Sequence, residues 1–171
     1  SQADGILAIG NEAKSFYKKF NKNILNLQYS INVSKYSTSK TKEKLKINFL
    51  YVGQYIKRKG IKELLNAINR LSKKESSISG FTFVGEGDYK NHLLKLQKTN
   101  KNIRVNNFQN RDQLVKLFFK NHVFIFPSLY DGWGVAPMEA MISGLYVIIS
   151  NRCGLIKSNP LIKKYSRIIN P

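Results

Sequence analysis

The chain has 171 residues, 42% hydrophobic and 12% aromatic, which is enough for a packed core and excludes a disordered segment. Its net charge of +19 comes from 23 Lys and 6 Arg against 10 acids, and the Lys excess is spread along the whole chain. Such a balance suits solubility, an anionic membrane surface or an anionic substrate better than specific nucleic-acid reading, which leans on Arg. The longest apolar runs, Val123 to Phe126 and Tyr146 to Ile149, are strand-length, so no transmembrane helix is expected. The opening SQADGILAIGNEAK lacks a signal-peptide pattern and an initiator Met, and reads as processed or excised from something longer. Cys153, the single cysteine, excludes an internal disulfide and fits a reducing compartment.

In chain order, Ile6 to Ile9 is a short strand, a helix runs from Asn11 to about Phe20, and Ile24 to Leu27 is a second strand. Residues 1–34 are too few to bury a core alone and read as the tail of another domain or an appendage. A Ser-, Thr- and Lys-rich stretch with no apolar period, residues 35–46, reads as a linker or hinge. From Ile47 the pattern is regular. Strands are expected at Ile47 to Val52, Phe81 to Val84, Ile103 to Val105, Val123 to Phe126 and Tyr146 to Ile149. Helices are expected at Lys59 to Lys73, Tyr89 to Lys98, Gln113 to Phe119 and Val135 to Ser143. Alternating strands and helices with short loops imply an α/β domain over residues 47–171, with a parallel sheet covered by helices on both faces.

In such sheets ligands bind at the carboxyl ends of the strands. Here those ends are Gly53, Gly85, the turn around Phe108, and the loop from Ser128 to Gly134. Glycine there lets a ligand approach the backbone. The loop Asp131-Gly132-Trp133-Gly134 opens a helix, whose N–H groups and dipole make an anion site and suggest a phosphate-bearing ligand. Glu139 lies in an apolar helix among Met138, Ala140 and Met141, a costly place for an unpartnered carboxylate. With Asp131 it would face one crevice, and carboxylates accept well from vicinal sugar hydroxyls. The plainer reading of Glu139 is a surface carboxylate on an amphipathic helix. Arg58 and Lys59 follow the first strand and are placed to neutralise a diphosphate; such a run is otherwise a solvated turn. No Asp-x-Asp pair exists, and His92 and His122 lack partners at metal spacing, so no metal site is expected.

The stretch PSLYDGWGVAPMEAMISG (Pro127 to Gly144) resembles the signature of the retaining family-4 glycosyltransferases of the GT-B fold, in which two acids are separated by seven residues. FLYVGQYIKRKGIKELLNAINRL (Phe49 to Leu71) is similar to that family's first strand, phosphate turn and helix, and FTFVGEGDYKNHL (Phe81 to Leu93) to its second strand and Gly-x-Gly turn. The resemblance implies a Rossmann-like domain that binds a nucleotide-diphosphate sugar as donor, with no cofactor and no metal. It implies that Lys59 holds the diphosphate, Glu139 accepts from the ribose, and Asp131 reaches the donor sugar. The backbone around Gly132, Trp133, Gly134 and Val135 would meet phosphate and sugar, and the Phe108 backbone would edge the base. Transfer with retention to a glycan or lipid-linked acceptor is expected, in bacterial surface polysaccharide biosynthesis, in the cytoplasm at the inner face of the membrane.

Three departures from the pattern stand out. Gln54 occupies a position where the family usually has Arg, Asp131 replaces the commoner Glu, and Leu145-Tyr146 replaces a Pro. Complete enzymes of this type have two Rossmann-like domains and about twice this length. The chain is therefore expected to be the donor-binding half, truncated at both ends and inactive in isolation. Gln54 also favours an alternative, a non-catalytic module that binds nucleotide or polyanion. The spacing of the two acids argues against a GT-B epimerase or phosphorylase, and no exposed aromatic ladder supports a nucleic-acid binder.

Overall fold

Short apolar stretches recur along the chain, each followed by a helix-forming segment. In the computed structural model, which describes residues 3–36, 47–71, 78–159 and 161–171, they become one extended parallel sheet and a small N-terminal unit. The sheet contains β3 (Ile47–Val52), β4 (Ile78–Val84), β5 (Ile103–Asn106), β6 (Val123–Phe126), β7 (Tyr146–Ser150) and β8 (Ser166–Ile169). Their spatial order is β5-β4-β3-β6-β7-β8, and every pairing is parallel. The N-terminal unit comprises β1 (Ile6–Ile9), α1 (Gly10–Tyr17) and β2 (Ile24–Leu27), with β1 parallel to β2.

Helices α2 (Ile61–Leu71), α3 (Lys90–Thr99), α4 (Arg111–Lys120), α5 (Val135–Ile142), α6 (Gly154–Ser158) and α7 (Leu161–Tyr165) connect the sheet strands. Successive strand side chains point to opposite faces, and the core divides accordingly. Leu50, Phe124, Val147 and Ile149 pack on one face with Phe118 of α4 and Ala140 of α5. Tyr51, Phe83 and Ile125 pack on the other with Ile61, Leu64 and Ile68 of α2 and Leu93 of α3. This arrangement bears out the expected α/β sheet covered on both faces.

Several boundaries differ from expectation. Helix α1 ends at Tyr17, and Phe20 lies in a following turn. Lys57–Lys59 form a separate 3-10 turn rather than the start of α2, because Gly60 takes φ +70 and closes it. The expected end of α2 at Lys73 lies outside the described residues. Helix α4 starts at Arg111, where Asn110 and Gln113 form a reciprocal capping box. The linker expected over 35–46 is outside the described residues beyond Tyr36, and Tyr36 itself is buried rather than linker-like. Elements α6, α7 and β8 were not expected.

Strand order reverses between β3 and β6: β4 and β5 continue one way, β7 and β8 the other. Parallel sheets open a crevice at such a point, outside the carboxyl ends of the strands. The N-terminal unit borders this region by packing α1 against α6, and the Lys157–Glu12 ion pair joins the two helices. Among the described residues, no helix is long and apolar enough to cross a membrane.

Candidate functional site

A cleft of about 1070 Å³ opens where β3 and β6 end, between the sheet domain and α1. Gly53 and Gln54 follow β3; Tyr130 to Gly134 follow β6; Val135 and Ala136 begin α5. From the N-terminal unit come Ala13, Phe16 and Tyr17 of α1 and, beyond β2, Tyr29. The Gln54 carbonyl accepts a hydrogen bond from the Tyr51 hydroxyl at 2.8 Å, which fixes the turn after β3.

Lys59 and Asp131 meet inside the cleft as an ion pair between Nζ and Oδ2. Their side chains are only 15% and 13% exposed, so solvent screens the pair less than it would on the surface. The other Asp131 oxygen accepts from the Trp133 N–H at 3.1 Å, so the turn itself holds the carboxylate. Lys59 also lies 5.5 Å from the centre of the Phe126 ring. Gly134 stands at the N-cap of α5 and provides no side-chain cap. The first turn of a helix carries N–H groups without intrahelical partners, and Gly134, Val135 and Ala136 line the cleft. A cation and a helix N-terminus thus converge on one volume, an arrangement able to hold an anion.

The loop before α5 is anchored from below. Gly154 N–H donates to the Asp131 carbonyl at 2.9 Å, and Leu155 N–H to the Trp133 carbonyl at 2.8 Å. The Cys153 thiol also reaches the Trp133 carbonyl, at 2.8 Å. Burial pushes that thiol up to about 12, in keeping with an inert core residue. Trp133 is buried, and a Cβ at Gly10 would come within 2.7 Å of its ring, so the N-terminal unit lies directly on the loop.

Not all the expected site residues lie together. Gly53, Gln54, Lys59, Asp131, Gly132, Trp133, Gly134 and Val135 line the cleft; Arg58, Gly85, Phe108 and Glu139 are not among its lining residues. Arg58 is a loop clamp: its carbonyl accepts from Leu129 and Tyr130, and its guanidinium donates to the Tyr130 carbonyl at 3.1 Å. At Gly85 a Cβ would fall 2.0 Å from the Gly53 carbonyl oxygen. The missing side chain there serves contact between two strand ends. The Phe108 side chain is 78% exposed.

Glu139, in the second turn of α5, belongs to a different contact set. Its Oε1 accepts from the Tyr36 hydroxyl at 2.7 Å, and Arg111 Nη2 lies 3.7 Å from the same oxygen. Arg111 Nε donates to the Tyr36 hydroxyl oxygen at 3.2 Å. Burial, followed by the bond to Glu139, raises the Tyr36 phenol above its ordinary value. Neither Tyr36 nor Arg111 was singled out from the sequence. Both are remote from Glu139 along the chain, and no local pattern marks them.

Comparison with known proteins agrees with this architecture. The model of the family described as glycosyl transferases group 1 matches residues 32–159, most of the chain. The chain belongs to this family. A Klebsiella pneumoniae protein described as an uncharacterized 41.2 kDa protein in the cps region is 32% identical over 114 residues, 66% of this chain and 30% of that protein. An uncharacterized glycosyltransferase of Methanocaldococcus jannaschii is 30% identical over 112 residues, 63% of this chain and 28% of its own length. Among solved structures, WaaG, a glycosyltransferase involved in lipopolysaccharide biosynthesis, superposes with TM-score 0.76 at 16% identity, covering 96% of this chain and 48% of WaaG. Anabaena HepE in complex with UDP and glucose gives 0.76 at 12% identity, covering 99% of this chain and 50% of HepE. The chain therefore spans less than a third of these curated relatives and about half of these solved structures. The structural likenesses show the GT-B fold.

Proposed function

We propose that this chain forms the nucleotide-sugar-binding half of a retaining, metal-independent glycosyltransferase of hexosyltransferase type. The observation that carries the reading is the meeting of Lys59, Asp131 and the α5 N-terminus in one cleft at the switch point of the sheet. The Lys59 ammonium and the first-turn amides would take the negative charge of a diphosphate, a task otherwise given to a metal ion. Asp131 would accept from a hydroxyl of the donor sugar, and Glu139 from the ribose. The bond from the anomeric carbon to the diphosphate oxygen breaks, and the acceptor oxygen bonds to that carbon on the same face. The acceptor's proton passes to the departing phosphate, whose new charge Lys59 stabilises.

Nucleotide binding is supported by HepE, a fold relative whose structure holds UDP and glucose. A surface-glycan role is supported by WaaG, with its involvement in lipopolysaccharide biosynthesis. The acceptor would then be a glycan or lipid-linked sugar, met with the help of protein beyond this chain. The charge of +19 would favour the anionic inner face of the cytoplasmic membrane.

The test is calorimetric titration of the chain with UDP, GDP, ADP and dTDP, with and without magnesium. Metal-independent binding of one nucleotide, weakened in Lys59→Ala, is expected; a folded chain that binds none overturns the reading. Gln54, which lines the cleft where the family usually has Arg, supports a second reading as a nucleotide- or polyanion-binding module without catalysis. Gln54→Arg in a catalytically complete protein separates the two, because only a degenerate site gains activity from none.

A further inference from the structure

Glu139 has a carboxylate at the end of three rotatable bonds, and a carboxylate that must read a ligand's hydroxyls loses that freedom on binding. In this protein part of that freedom is already removed. The Tyr36 hydroxyl donates to Oε1 at 2.7 Å, across 103 residues of sequence. Arg111 Nε donates to the hydroxyl oxygen at 3.2 Å, and its guanidinium lies 5.6 Å from the centre of the Tyr36 ring. The ring is 2% exposed and packs against Phe118 at 6.4 Å, so the hydroxyl sits on a rigid mount. Among the described residues both side-chain contacts of Glu139 fall on Oε1, which leaves Oε2 to a ligand.

The position of Tyr36 adds a second consequence. It follows the 3-10 turn Val33–Lys35 and directly precedes residues 37–46, the stretch leading into β3. A hydroxyl from this segment therefore reaches helix α5, on which the nucleotide site is built.

We propose that Tyr36 is a positioning residue, whose buried hydroxyl aims the Glu139 carboxylate at the ribose and ties it to the segment entering the sheet domain. The inference rests on the reading of Glu139 as the ribose acceptor. Tyr36 needs no contact with the ligand: it holds one oxygen so that the other is correctly placed, and Arg111 polarises and orients the hydroxyl.

The experiment titrates the chain with UDP, GDP and ADP, and then with the 2′-deoxy counterpart of whichever binds. The unsubstituted chain is expected to prefer the ribonucleotide by about tenfold, the scale of one hydrogen bond to a charged group. Tyr36→Phe keeps the ring and its packing. It is expected to reduce that preference to about twofold by weakening the ribonucleotide alone, with the 2′-deoxy affinity unchanged. Arg111→Gln, at an exposed position, is expected to move the ratio in the same direction by less, and it decides the matter should Tyr36→Phe fail to fold. A role confined to stability would lower the melting temperature and leave the ratio intact. That result in both variants overturns the proposal while nucleotide binding stands. A chain that binds no nucleotide overturns the underlying functional reading and this inference with it; binding without ribose preference overturns the assignment of Glu139.

Discussion

The two carboxylates around α5 are held by opposite means. Asp131, before the helix, is neutralised by Lys59, the cation a diphosphate would need. Glu139, inside the helix, is held by a tyrosine hydroxyl that carries no charge, with an exposed arginine behind it. On the proposed reading, filling the first site would exchange one ion pair for another, so part of the attraction would go into releasing Asp131. Filling the second would leave the Tyr36 and Arg111 contacts in place, because both fall on Oε1 among the described residues. On that reading, the same pair of acids would supply one site governed by competition and one governed by preorganisation.

Substitutions can pull these regimes apart. Lys59→Ala should cause the largest change, about a hundredfold loss of nucleoside-diphosphate affinity by calorimetry, since a charge-assisted contact disappears from a partly buried site. Glu139→Ala should cost about thirtyfold against a ribonucleotide and much less against its 2′-deoxy analogue; equal losses against both would contradict a ribose role. Asp131→Asn should act in the opposite direction and tighten the free diphosphate by about threefold, because Lys59 is no longer held. A weakened diphosphate in that variant would show that the ion pair does not compete with ligand.

A smaller effect tests the footing of the Asp131 loop. Burial holds the Cys153 thiol at about 12, above its ordinary 9.0. The folded chain therefore keeps a proton that the unfolded chain has released. Stability that is whole below pH 9 is lost as pH rises toward 12, at most about 1.4 kcal/mol per pH unit. Tyr51 and Tyr55, raised above 10.0 mainly by burial, add to the loss at higher pH. Urea midpoints should fall between pH 8 and pH 10.5, and Cys153→Ala should flatten the decline; an unchanged slope would mean that the thiol is not sealed in.

The sheet domain was largely legible in the sequence, because its strands are apolar on both faces and α2 places Ile61, Leu64, Leu65 and Ile68 at helical spacing. The cleft was legible too, since Lys59, Asp131 and the α5 N-terminus follow directly from strand ends. Three kinds of feature were not. Helices α6 and α7 have five residues each, too short to display a period. Arg58, next to Lys59, is directed by its contacts with Tyr130 and Leu129, which only the folded loop creates. Tyr36 looked like part of a polar linker because its neighbours are Ser, Lys and Thr. Its burial depends on α4 and α5, which are distant in sequence.

Trp133, the single tryptophan, joins the loop that ends in α5 to the N-terminal unit. Its ring centre is 6.0 Å from that of Tyr29, and the residue lines the cleft. All indole emission from this protein therefore originates at the junction between its two parts. A ligand entering the cleft and a separation of the parts would both be recorded by one chromophore, with no label attached. Quenching would report the first and a red shift the second, so the protein carries its own optical gauge.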